Sequence, residues 1–384
     1  MRKILILIVL GVFLFPTAVF AQEVGNEEIL RSSGIDTLQQ YMDKIDEDLQ
    51  AYLGSSDVIQ IIKNIASGEM PLTPQNLISA IFKVLFKELA LNMGLLGQLL
   101  VLAVMAAVLN QMIDAFSNPS VGRLAHSVVF LALITLAVVS FTVSVNAGRE
   151  TVNEMVDFLK ALLPVLVTLT AAEGGVLTAG MLNPLIILFL TMIGIILQSI
   201  VFPLIYLYSV LMIINRISPQ FKVGRLAGLL KDGVMIVLGF SLTIFVGFLG
   251  LQGIAGAVGD SLGMKAAKFA AGTFIPIVGK PLADAVGVIT GTAVVMKNAV
   301  GIFGVIILFL LWLHPALKIL LTGLIYKLAA ALVEPFGDTA IGGALEDMGK
   351  SILLSFGVVI SAGVMFFFTL AVIVGVGNIN VMMR

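Results

Sequence analysis

The feature that most narrows what this chain can become is a series of apolar runs, each about twenty residues long. The clearest are Gly94 to Ile113, Val128 to Val145, Val234 to Ala255, Val300 to Leu321 and Ile352 to Val376. A helix of about that length rises roughly 30 Å, the thickness of a bilayer's hydrocarbon core. Helices satisfy their own backbone donors and acceptors, which lipid cannot do for them. A soluble core has no room for this much apolar surface: 59% of the 384 residues are hydrophobic and 12% are charged. That charged share is about half the usual one for a soluble domain. The expected fold class is therefore all-α: a polytopic integral membrane helical bundle of about seven transmembrane helices, with six to eight allowed.

Several stretches leave the count open. Leu185 to Asn215 is long for one spanning helix and short for two, with Pro203 placed to kink it. His314-Pro315 could end one span and start another at Ala316. Leu162 to Leu169 and Ala283 to Met296 are too short to cross alone, so re-entrant or interfacial pieces are expected there.

Residues 1–21 read as a signal peptide. Arg2 and Lys3 are its charged region, Ile4 to Phe15 its apolar region, and Ala21–Gln22 the expected cut. An uncleaved first helix is the alternative, and either outcome leaves Gln22 onward on the outer side. Residues 22–92 form an exported acidic helical region with eleven acidic and five basic residues. Leu38, Tyr41, Met42, Ile45, Leu49 and Leu53 recur at helical spacing up to a stop at Gly54. A second short helix is expected from Asp57 to Gly68. A third begins with Thr73 as N-cap and Pro74 behind it, amphipathic at first and suited to the membrane interface. The region is either a docking surface for another protein or a lid on the chain's own membrane part. Residues 93–384 are the polytopic domain.

Loop charge orients the bundle. Arg216, Lys222, Arg225 and Lys231 stand against Asp232 alone in Arg216 to Gly233, which the positive-inside rule places in the cytoplasm. Counting three crossings from an outside start agrees. Lys265, Lys268 and Lys280 fall on a loop the same count leaves outside, so the topology after Ala255 stays open.

Glycine is the most patterned residue. Gly247, Gly250, Gly253, Gly256 and Gly259 recur every third position, Gly287 and Gly291 make a GxxxG, and Gly301 and Gly304 follow. Small residues let helix backbones approach closely in lipid. The pattern points to packing within the chain or to a subunit interface. Polar residues within or beside the apolar runs include Asn110, Gln111, Gln198, Ser199 and His314. His314 is the candidate for an intramembrane polar role, against a structural one bonding a carbonyl freed by Pro315 or resting at the interface near Trp312. Glu334, Asp338, Glu346, Asp347 and Lys350 read as a solvated loop.

No catalytic set emerges. Gly239-Phe240-Ser241-Leu242 is not a nucleophile elbow, and HExxH and Walker A patterns do not occur. The chain has no cysteine and two histidines, which excludes disulfides and a thiol nucleophile and leaves little for a metal site. No catalytic, cofactor-binding or metal-binding residue and no cofactor is expected, and the reading is not an enzyme. A net charge of -1 without a basic arm points away from nucleic acid.

Three strings carry a family resemblance. They are Arg216-Ile217-Ser218 with Phe221-Lys222-Val223-Gly224-Arg225-Leu226, then Phe274-Ile275-Pro276-Ile277-Val278-Gly279, and Lys297-Asn298-Ala299-Val300-Gly301. With the signal peptide, acidic exported region and polytopic body, they resemble the stage III sporulation protein AE family of endospore-forming bacteria. The resemblance implies residence in the mother-cell membrane around the forespore, as part of a channel or secretion-like complex that supports forespore development and late gene expression. The implied partners are membrane lipid, the other proteins of the stage III sporulation A operon and a forespore-side protein. It also implies a permease-like or export-gate role, and carries over no site residues. The alternative function is a self-sufficient secondary transporter of a small solute, which wants broken helices and convergent polar groups near the midplane.

Overall fold

The computed structural model describes residues 34–45, 47–71, 73–112, 119–173, 176–217, 222–248, 279–336 and 339–382. The signal-peptide expectation and Gly250, Gly253, Gly256 and Gly259 lie outside them. After short helical turns over residues 35–53 come α1 (Val58–Ala66), α2 (Pro74–Met112), α3 (Pro119–Ala172), α4 (Val176–Ile196) and α5 (Phe202–Ile217). A π-helical turn, Leu197–Val201, joins α4 to α5. Then follow α6 (Gly224–Phe248), α7 (Gly279–Val333) and α8 (Thr339–Met382). Six of these helical stretches are long and apolar enough to cross a membrane, α4 and α5 counting as one. The chain is an all-α, multi-pass membrane protein.

The helices outrun the apolar runs that announce them. α3 has 54 residues and α7 has 55, about 80 Å each. Leu162 to Leu169 is the end of α3, and Ala283 to Met296 is the start of α7, so neither is a re-entrant piece. α7 also runs through Pro315 without a break. A proline removes one hydrogen bond and crowds the preceding turn. Here Leu313, Ala316 and Leu317 are buried around it, and packing on neighbouring helices holds the rod together. α2 likewise continues from its amphipathic start straight into the span, with no turn into the interface.

α7 and α8 form an antiparallel hairpin at the centre. An added Cβ at Gly301 would strike Val374 and at Gly323 Leu353, and at Gly363 it would press on the Trp312 ring at 3.3 Å. α3 runs antiparallel to α7: Leu162 fills the space over Gly304, and the Tyr326 hydroxyl donates to the Leu136 carbonyl at 3.5 Å. α2 packs on α3 and α7, while α4 packs on another flank of α3 and α5 on α8. α6 returns along α4 and α5, its Phe248 stacked on Phe189 at 4.2 Å. The most apolar window of α7 is 72% buried and that of α6 is 22% buried, so α7 is the axis and α6 the rim.

The N-terminal turns are seated on this bundle. Leu38, Tyr41, Met42, Ile45, Leu49 and Leu53 are all buried, as their spacing predicts, with Gly54 in the left-handed conformation (φ 74°). The expected single helix is instead a chain of α and 3-10 turns. Asp57 caps α1 by accepting from the Ile59 amide at 2.9 Å, and Gly68 ends it at φ 92°. The Asn76 amide donates to Thr73 Oγ1 at 3.2 Å, the cap expected for α2. Tyr41 meets Phe158 of α3 edge-on, and α1 packs on α7.

Candidate functional site

Rods this apolar can carry charge inward only where a partner neutralises it. Charged and polar side chains meet at four places in the bundle, at three heights. At the end of α3, Lys297 Nζ lies 2.7 Å from Glu173 Oε1, the two side chains 0% and 4% exposed. Lys297 stands in the first third of α7, so this pair ties the C-terminal end of α3 to the axis helix. An ammonium buried among apolar groups is costly, and a carboxylate at hydrogen-bond distance offsets that cost.

Farther along α7, His314 Nε2 lies 3.5 Å from Glu88 Oε1, with Glu88 on α2 almost fully buried. Asn92, one turn on, donates to the Glu88 backbone carbonyl at 2.8 Å. His314 therefore links α7 to α2, which neither the proline-carbonyl nor the interface reading foresaw.

The third meeting is between α3 and the π-helical turn. Arg149 Nε donates to Gln198 Oε1 at 3.1 Å, and Gln198 Nε2 donates back to the Arg149 carbonyl at 2.7 Å. One turn away the Tyr206 hydroxyl donates to Asn146 Oδ1 at 2.8 Å. A π-turn re-aims a helix and often marks a functional position. Here it aims Gln198 at the α3 backbone, beside Gly148, where an added Cβ would come within 3.0 Å of Ser355 Oγ.

The fourth lies where α5 ends. Arg216 Nε donates to Asp347 Oδ2 at 2.8 Å, and the guanidinium sits over Gly343, where any Cβ would collide with it. Asp347 is 2% exposed and Lys350 bonds Glu346 at 2.8 Å. The solvated-loop reading of Glu346, Asp347 and Lys350 is corrected: all three are helical, in α8, and Asp347 is the buried half of an ion pair.

The glycine pattern divides. Gly301 and Gly304 lie against side chains of α8 and α3, but an added Cβ at Gly247 or Gly291 would meet nothing within 4 Å. Gly287 falls within α7. Among the described residues, no close approach is made at Gly247 or Gly291, and an intermolecular role for them is a proposal. Sequence reasoning missed Glu173 and Lys297 as partners. The available signal was a lone lysine inside the apolar stretch Ala293 to Val305. Which carboxylate would meet it depends on a pairing of helices 124 residues apart.

The family model described as Stage III sporulation protein AE matches residues 56–377. A protein of Bacillus subtilis (strain 168) named Stage III sporulation protein AE is 37% identical over 318 residues, covering 83% of this chain and 80% of the relative. No solved structure matches.

Proposed function

This chain belongs to the stage III sporulation protein AE family and acts in sporulation, and from that we propose that it is the membrane subunit of a channel or secretion-like complex in the mother-cell membrane around the forespore. In this reading it supports forespore development and late gene expression as an export-gate or permease-like part. Its partners are other proteins of the stage III sporulation A operon and a forespore-side protein. Its N-terminal module faces the space between the two membranes.

The observation that carries the reading is family membership over most of the chain, joined to a bundle whose charges are tied helix to helix. A self-sufficient transporter would converge polar groups on one mid-bundle site. The four polar meetings described here are spread over three heights, Arg149–Gln198 standing level with Glu88–His314 but between other helices, and each is closed within its own pair of partners. The test is deletion in a spore former, with a tagged copy supplied in trans. Arrest after engulfment, rescue by the tagged copy and recovery of the operon's other products with it are the expected results. Normal sporulation with loss of growth on one nutrient would replace this reading with the transporter.

A further inference from the structure

The outward face of α3 changes character part-way along the helix. Val138, Val139 and Val143 are exposed and apolar. Above them the same side carries Asn146, Glu150, Asn153 and Asp157, all exposed. Their spacing of four, three and four residues keeps them in one stripe, about 16 Å long. Arg149 and Val156 turn to α4 and the π-helical turn on one side of it, and Glu154 and Phe158 to the N-terminal turns on the other. The stripe lies inside Leu124–Ala172, a stretch apolar enough to cross a membrane.

Two neighbouring elements are apolar outside at the same height. Gly148 approaches Phe202, and Gly194 packs on Val156, so the π-helical turn stands level with Glu150 and Asn153. Ile200 in that turn is 45% exposed. Gly233 of α6 meets Leu204, and Phe248 stacks on Phe189, which brings Phe240 (66% exposed) to the same height. One solvent cannot suit both sets. Lipid would strand the carboxylates, and water would strand the isoleucine and the phenyl ring. The basic loop decides where the bilayer sits. The positive-inside rule puts Arg216 to Gly233 in the cytoplasm, and the roughly twenty residues of helix that a bilayer covers above it take in Ile200 and Phe240.

We propose that water from the outer side descends along the α3 stripe in a vestibule sunk into the bilayer, at a height where lipid covers Ile200 and Phe240. Its floor is at Asn146, where the Tyr206 hydroxyl bonds the Asn146 side chain. The Lys44–Glu154 bond sets the N-terminal turns along its wall, which keeps those turns in water although they pack beside spanning helices. The vestibule belongs to the chain itself and needs no partner. The chain has no cysteine of its own, so single cysteines report on it. Glu150→Cys, Asn153→Cys, Ile200→Cys and Phe240→Cys are each made in the full chain and expressed in sealed vesicles with the outer side out. A charged maleimide that does not cross bilayers is added, and labelling is normalised to the same chain in SDS. Any variant with less helix than the parent is replaced by its neighbour, Asp157→Cys for the stripe or Ile195→Cys for the apolar set. Glu150→Cys and Asn153→Cys should label at least about 10-fold faster than Ile200→Cys and Phe240→Cys, because a thiol in lipid stays protonated. A lipid-soluble carbene probe should give the reverse order. Three results would each overturn the proposal. Equal, fast labelling of all four would set this height outside the bilayer. An unlabelled stripe would mean that lipid or protein covers it. Labelling of the stripe in inverted vesicles only would open it to the cytoplasm instead.

Discussion

Replacing Lys297 by methionine tests whether the bundle depends on the Lys297–Glu173 pair or merely accommodates it. At 2.7 Å and an effective dielectric of about 20, the attraction is about 6 kcal/mol. Removing two ions from water costs several kcal/mol each, so the pair comes close to breaking even. Removing one partner is a different matter, because Glu173 then stays buried without the ammonium that lies 2.7 Å from it. Lys297→Met should cost about 3–5 kcal/mol. The double variant Lys297→Met/Glu173→Leu should return to wild-type stability or exceed it by about 1–4 kcal/mol. The assay is SDS-induced unfolding of the detergent-solubilised full chain. It is followed by fluorescence of Trp312, the one tryptophan, which packs edge-on against Phe309 and over Gly363. The reasoning fails if the single variant loses under about 1 kcal/mol, or if the double variant is as unstable as the single.

Arg216→Ala should destabilise the α5–α8 contact by about 1–3 kcal/mol, since Asp347 keeps only the more distant Lys350 at 4.0 Å, and Gly343→Ala should mimic part of that loss by displacing the guanidinium; the same SDS titration reads both. Phe158→Ala should cost about 3–5 kcal/mol and free the N-terminal turns, seen as faster limited proteolysis within residues 35–66 than in the parent. Lys44 bonds Glu154 at 3.0 Å, and that bond is the main reason its ammonium is held above the ordinary lysine value of 10.5. A raised folded-state pKa gives a contribution that is complete below that ordinary value and lost as pH rises through the folded one. With side chains 49% and 25% exposed, the tether is worth at most about 1 kcal/mol. Proteolysis of residues 35–66 should therefore be flat from neutral pH up to the lysine range and rise only above it, and Lys44→Ala should abolish that rise.

Helix class and membrane residence were legible because lipid demands long apolar runs, and those runs are local. The cap at Thr73, the helix start near Asp57 and the stops at Gly54 and Gly68 were legible for the same reason, since each depends on a few neighbouring residues. Helix length was not. The span expected from Val128 ends at Val145, and the stretch of α3 from Asn146 to Lys160 beyond it carries Arg149, Glu150, Glu154 and Asp157. It is helix because Met155, Phe158 and Leu159 keep the helical period beneath those charges and are fully buried. The ion pairs were hidden for a further reason. Glu173, Glu88 and Asp347 look like ordinary polar residues until the tertiary pairing of helices brings Lys297, His314 and Arg216 to them.

The unbroken length of α3 couples its two ends in rotation. Phe158 seats the N-terminal module, while Leu136 receives Tyr326 nearer the other end. One residue inserted between them would swing that seat by about 100° and raise it by about 1.5 Å. Insertions in this stretch can therefore be accommodated only in whole turns, and the phase between the two ends is as much a property of the protein as any contact in it.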